Sequence, residues 1–155
     1  MKWISCGGVM AKSFVAQLED FADRTEDKML RVAQASIQDV MTIAQTTVAQ
    51  GGAMPVDTSF LRNSLVSSLD GSEVAKGDGK TNSSGDAVVT LSIAQLQIGQ
   101  TIRFAWVAEY ALRLHYGFND TDSLGRTYSQ GGNLWRDLAA AQWQDIVTKN
   151  AKAVT

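Results

Sequence analysis

The sequence predicts an α+β domain: a long N-terminal helix, an antiparallel sheet of three to four strands, and a C-terminal helix packed on that sheet. Three observations carry this expectation. Apolar residues recur at helical spacing from residue 11 to about 49. Three short segments between 63 and 107 alternate apolar with polar residues. Helical spacing then returns from 134 to about 152. With 155 residues, 45% of them hydrophobic, the chain can bury one ordinary core, so residues 11–155 read as a single domain. Residues 1–10, MKWISCGGVM, read as a loose extension whose apolar run is too short for a secretory signal, with Met10 a plausible alternative start.

In the first helix, Phe14, Leu18 and Phe21 begin a stripe that Leu30, Ile37, Met41, Ala44 and Val48 continue. Unbroken, it would run roughly 58 Å, longer than a small domain is wide. Either it breaks near Thr25, or one end projects and packs on a neighbouring subunit. Gly51, Gly52 and the only proline, Pro55, stop it, because proline holds the residue before it out of the α region. Asp57 is placed to cap one helical turn over Thr58–Arg62, accepting from the amide of Ser59 or Phe60. From Asn63 to Asp70 alternation puts Leu65, Ser67 and Leu69 on one face of a strand.

Gly71–Asp86 is polar, glycine-rich and aperiodic, and reads as a loop. Ala87–Leu96 and Thr101–Val107 both alternate and flank Gly99, which suggests an antiparallel hairpin, with Asn63–Asp70 pairing across the loop. Glu109–Phe118 fits a helical turn through Tyr110 and Leu114, or a strand through Leu112, Leu114 and Tyr116. Asn119–Gly132 reads as a second loop. Asn133 is a good cap for the last helix, whose stripe of Trp135, Leu138, Ala139, Trp143, Ile146 and Val147 would cover the sheet.

Composition and motifs argue against several function classes. A net charge of −2 does not suit gripping a phosphate backbone, nor does it support a base-stacking groove for single strands. The single cysteine, Cys6, precludes an internal disulfide and a cysteine-based zinc site. The single histidine, His115, has no motif for a nucleophile or an orienting acid around it. Gly79-Lys80-Thr81 lacks the glycine a phosphate loop needs at position 74, which is valine. Asp120–Gly125 starts like a calcium loop, but Leu124 and Gly131 stand at ligand positions. The expectation is therefore no enzyme, no catalytic residue, no cofactor and no metal.

Pro55-Val56-Asp57-Thr58-Ser59-Phe60-Leu61-Arg62-Asn63-Ser64 resembles the Pro-Val-Asp-Thr-Gly-x-Leu-Arg-x-Ser signature of the tail-completion, or head–tail joining, neck proteins of long-tailed bacteriophages. Tyr110-Ala111-Leu112-Arg113-Leu114-His115-Tyr116-Gly117 resembles that family's Tyr-Ala-x-x-x-Glu-x-Gly segment, and the region around Trp135 and Trp143 resembles its last helix. Ser59 replaces the motif's glycine and His115 its glutamate. The resemblance marks Pro55, Asp57, Thr58, Leu61, Arg62, Ser64, Tyr110, Ala111, His115, Gly117, Trp135 and Trp143 as signature residues and candidate subunit contacts. It implies a structural virion protein, assembled in the host bacterial cytoplasm, that forms a ring, commonly a hexamer, in the connector between head and tail. Its partners would be further copies of itself, a head-side connector or stopper protein, and a tail terminator or tail tube protein. Genomic DNA would pass through the lumen without specific binding, and no membrane would be involved. A tail terminator capping the tail tube is the nearest alternative; a small enzyme and a nucleic-acid-binding module are more distant ones.

Overall fold

The structure, a computed structural model, describes residues 12–76 and 85–154. The expected extension at 1–10, Cys6, and residues 77–84 of the expected first loop lie outside the described residues. The architecture is α+β. Helix α1 (Phe14–Gln45) leads through a 3-10 turn (Val48–Gln50) and a short α2 (Phe60–Asn63) to strands β1 (Leu65–Leu69) and β2 (Ser72–Lys76). Then come α3 (Gly85–Gln95), β3 (Ile102–Trp106), α4 (Ala111–Tyr116), strands β4 (Gly117–Thr121) and β5 (Thr127–Gly131), and helices α5 (Trp135–Ala140) and α6 (Trp143–Ala153).

Helix α1 runs unbroken through Thr25 for 32 residues, about 48 Å. Ser13 caps it, its hydroxyl accepting from the Ala16 amide. It stops at Gln45, earlier than the glycines require, where Thr46, Thr47 and Val48 form a β-branched run. Gly51, at φ +86°, then turns the chain left-handed after the 3-10 turn. Only the second half of α1 packs. No side chain from Phe14 to Met29 is buried, whereas Ser36, Met41, Ala44 and Gln45 are.

The main sheet has three antiparallel strands in the order β2-β1-β3. Leu65 faces Trp106, Ser67 faces Phe104 and Leu69 faces Ile102, so the alternation expected of β1 and β3 is realised. Of residues 87–96, expected as a strand, 87–95 belong instead to α3, and the expected pairings with them do not exist. The buried residues of that segment, Gly85, Val88, Val89, Ser92 and Ile93, follow the helical period, and Leu91 is exposed. Its β-branched residues supported a false strand, because a short apolar run fits both periods. The missing strand is supplied by β2, inside the segment expected as a loop.

The C-terminal segment is two helices, broken near Ala141, and Asn133 does not cap it: the capping position is Leu134, at φ +48°. Asn133 instead donates through its side-chain amide to the Leu114 carbonyl at 3.1 Å. The main packing of α5 and α6 is against α1, while α3 lies against β1 and β2. The helix expected to cover the sheet therefore covers α1. Buried Asn150 of α6 donates to the Ser36 hydroxyl at 3.3 Å and to Asp39 at 3.2 Å.

Two cores result. Met41, Leu65, Val88, Val89 and Ile93 form one between α1, the sheet and α3. Met54, Leu61, Ala108, Ala111 and Trp135 form the other, under the α2 and α4 segments. Trp106 packs against both.

Candidate functional site

The second core brings together the two segments singled out in the sequence. Pro55–Leu61 forms one wall of a cavity of about 630 Å³, and Tyr110 and Leu114 form the other. Met54, fully buried, anchors the first wall; its amide donates to the Thr46 carbonyl at 3.1 Å and its carbonyl accepts from Val48 at 3.0 Å. Phe60 and Tyr110 meet across the cavity with ring centroids 6.1 Å apart.

Ser64 ties the two walls. Its hydroxyl donates to the Leu61 carbonyl at 2.7 Å and accepts from the Ala108 amide at 3.2 Å, while its carbonyl accepts from Val107 at 3.1 Å. One buried serine thus closes the turn of the first segment and fixes the approach to the second.

Ser59 adopts φ +62° and ψ 3°, the left-handed conformation. The turn therefore needs what a glycine supplies freely, at the position where the resembled signature carries glycine. Gly117 is constrained more tightly. At φ +81° and ψ 177° it lies where essentially only glycine is found. A Cβ there would also run into the backbone of Gln130 and stand 2.7 Å from the Gly132 nitrogen.

Asp57 is exposed, and among the described hydrogen bonds none joins its carboxylate to the amide of Ser59 or Phe60; the expected cap is not made. The left-handed Ser59, not Asp57, occupies the capping position. Asp57 acts electrostatically instead. Desolvation pushes the Tyr110 phenol above its ordinary value, the Asp57 charge adds to this, and the Leu61 amide opposes it. The cavity thus presents a phenol beside a carboxylate on a largely apolar wall. Arg62 points away from it and pairs with Asp86 of α3 at 2.6 Å.

His115 is buried, its ring edge-on to Trp135 and to Tyr116, both at 4.6 Å between centroids. Nε2 stands 3.3 Å from an Asp137 carboxylate oxygen, but neither ring nitrogen has the geometry of a hydrogen bond. The Arg136 guanidinium beside Asp137 holds its carboxyl below the usual range, with His115 contributing less.

The twelve signature residues divide by exposure. Leu61, Ser64, Ala111, His115 and Trp135 are buried within the subunit, where their side chains serve its own packing. Asp57, Thr58, Tyr110 and Trp143 are exposed. Trp143 lies apart from the cavity, on the groove between α1 and α6, and not in the core where its stripe was expected.

Asp122 was missed as a structural residue. Its carboxylate accepts from the amides of Leu124 and Arg126 at 2.9 and 2.8 Å, from the Arg126 guanidinium at 2.6 Å and from the Tyr128 hydroxyl at 3.2 Å. It organises the turn of a β4–β5 hairpin in the segment expected as a second loop. An aspartate two residues before an amide it can accept is an Asx-turn signal, and Gly125 follows it.

Among the described residues no group of three or more metal-ligating side chains gathers, and no helix is long and apolar enough to cross a membrane. No family model matches the chain, and no curated protein or solved structure is significantly similar to it.

Proposed function

We propose that this chain is a structural virion protein that assembles into a ring, commonly a hexamer, in the head–tail connector of a long-tailed phage. There it would complete the tail, join it to the head and leave a passage for DNA. The observation that supports this most is local. The two segments resembling the neck-protein signatures, distant in sequence, fold around one cavity, and Ser59 takes the left-handed conformation that the signature's glycine would favour. Several signature residues thereby acquire physical reasons: Ser64 ties the segments, Leu61 and Ala111 fill the core beneath them, and Gly117 permits the sharp exit from α4.

Two further features favour a subunit of an assembly. The first half of α1 projects with Phe14, Val15, Leu18 and Phe21 exposed, and apolar surface of that extent marks a contact with another molecule. The formal charge of −2 suits a lumen through which DNA slides without being gripped. The ring would contact a head-side connector or stopper on one face and a tail terminator or tail tube protein on the other.

Electron microscopy of the purified protein, and of the neck of the particle that carries it, tests the reading. Rings with a central opening, and matching density between head and tail, are expected. A protein that stays monomeric at high concentration and is absent from particles would overturn it. Density capping the tail tube itself would favour the tail-terminator alternative.

A further inference from the structure

We propose that the first half of α1 is an arm that seats in the groove between α1 and α6 of a second copy of this chain. The subunit carries both the arm and the groove. Phe14, Leu18 and Phe21 recur at intervals of four and three, with Val15 beside them, and are between 57% and 78% exposed. The groove is an open apolar trough of about 430 Å³ formed by two parallel stripes. One is Trp143, Val147, Ala151 and Val154 of α6 and its end; the other is Thr25, Met29 and Val32 of α1. Each stripe is itself at helical spacing, so the trough has the shape that receives a third helix.

Charge and area together favour a second copy as the occupant. Residues 14–24, the part of α1 that precedes the groove, carry three carboxylates, Glu19, Asp20 and Asp23, against one guanidinium, Arg24. The helical segments that line the groove, 25–33 and 143–153, carry four cations, Lys28, Arg31, Lys149 and Lys152, against three carboxylates, Glu26, Asp27 and Asp145. A net-negative arm approaching a trough of slight positive balance is electrostatically favoured, and the chain supplies both. Area agrees. Two phenylalanines with a leucine and a valine bring roughly 400 Å² of apolar surface, about half the ~800 Å² per partner of a stable interface. The arm is therefore one of two contacts between neighbours. A subunit's own arm does not reach its own trough, because α1 is continuous and Leu18 lies about 16 Å along its axis from Met29. The proposal rests on the ring reading only for the head-to-tail sense in which each subunit gives one arm and receives one.

Cross-linking tests it in the full chain with Cys6→Ala. Leu18→Cys and Val147→Cys are made separately, mixed, oxidised and mapped by mass, with Ser129→Cys on the β4–β5 hairpin as the mismatched partner. A covalent 18–147 dimer in at least tenfold excess over 18–129 is expected. Phe14→Ser with Phe21→Ser should raise the concentration for half-assembly at least tenfold while leaving the far-ultraviolet spectrum of the folded domain in place. Rings without the 18–147 link would overturn the arm and leave the ring reading standing. The link in a species that stops at two copies would support the arm and overturn the ring. A monomer at every concentration would overturn both. In a companion Val147→Cys variant that keeps Cys6, an intramolecular 6–147 link would show that the chain's own N-terminus fills the groove, and would overturn the arm.

Discussion

Ser59 is the residue at which the turn is conformationally expensive. A non-glycine residue in the left-handed region costs about 1–2 kcal/mol, partly offset in serine's favour by the unfolded-state entropy a glycine adds. Ser59→Gly should therefore stabilise the fold by up to about 1 kcal/mol, read as a rise in the urea midpoint with unchanged slope. Gly117→Ala should act oppositely, by about 1–3 kcal/mol, since the conformation is nearly closed to alanine and its Cβ meets the β5 backbone. Asp57→Ala separates two roles for an exposed acid. Because the carboxylate caps nothing, its removal should change stability by less than about 0.5 kcal/mol. It should also lower the Tyr110 phenol toward its ordinary value, visible in an ultraviolet pH titration, because one contribution holding it up is the Asp57 charge.

At the scale of elements, what the chain disclosed in advance depended on how uniquely a pattern fits one period. The β1 and β3 alternation, ending on Trp106, fits only a strand, and both strands form as expected. Val88, Val89 and Ile93 fit either period, and only burial between α1 and β1 decides for the helix. The two signature segments were visible as separate stretches, but their meeting depends on Ser64 bonding to Ala108, a partner 44 residues away that no local pattern encodes. The β4–β5 hairpin escaped notice because β5 and the last three residues of β4 are polar and exposed, leaving no alternation to detect. Its order should depend on pH. The Arg126 amide, the Arg126 guanidinium, the Leu124 amide and the Tyr128 hydroxyl hold the Asp122 carboxyl below its ordinary value, against a smaller upward push from desolvation. A depressed carboxyl stabilises the fold above its unfolded value of about 4, and that contribution is lost as pH falls through the lowered folded value. Amide exchange at Leu124 and Arg126 should therefore lose protection below pH ~4 ahead of the β1–β3 amides, and Asp122→Ala should reproduce that loss at neutral pH.

For the whole molecule, Trp106 is the member common to both cores, edge-on to Trp135 with centroids 6.0 Å apart. Losing either core strips packing from the other, so the domain should unfold in one transition, with tryptophan fluorescence and calorimetry reporting the same midpoint. Trp106→Ala should cost about 3–5 kcal/mol, a large part of the ~5–15 kcal/mol that holds an ordinary domain together. The projecting half of α1 stands outside that cooperative unit. A helical stretch of about eleven residues, Phe14 to Arg24, with no packed face is shorter than what survives in water on its own. In the free subunit its amides should open and close on their own, faster than any in the cores. Covering that face would then have to supply the ordering free energy as well as the contact itself, so measured affinity would fall below what the apolar area suggests, and would weaken with temperature as the helix melts. The helicity of this stretch would become a property of how much protein is present rather than of the chain alone.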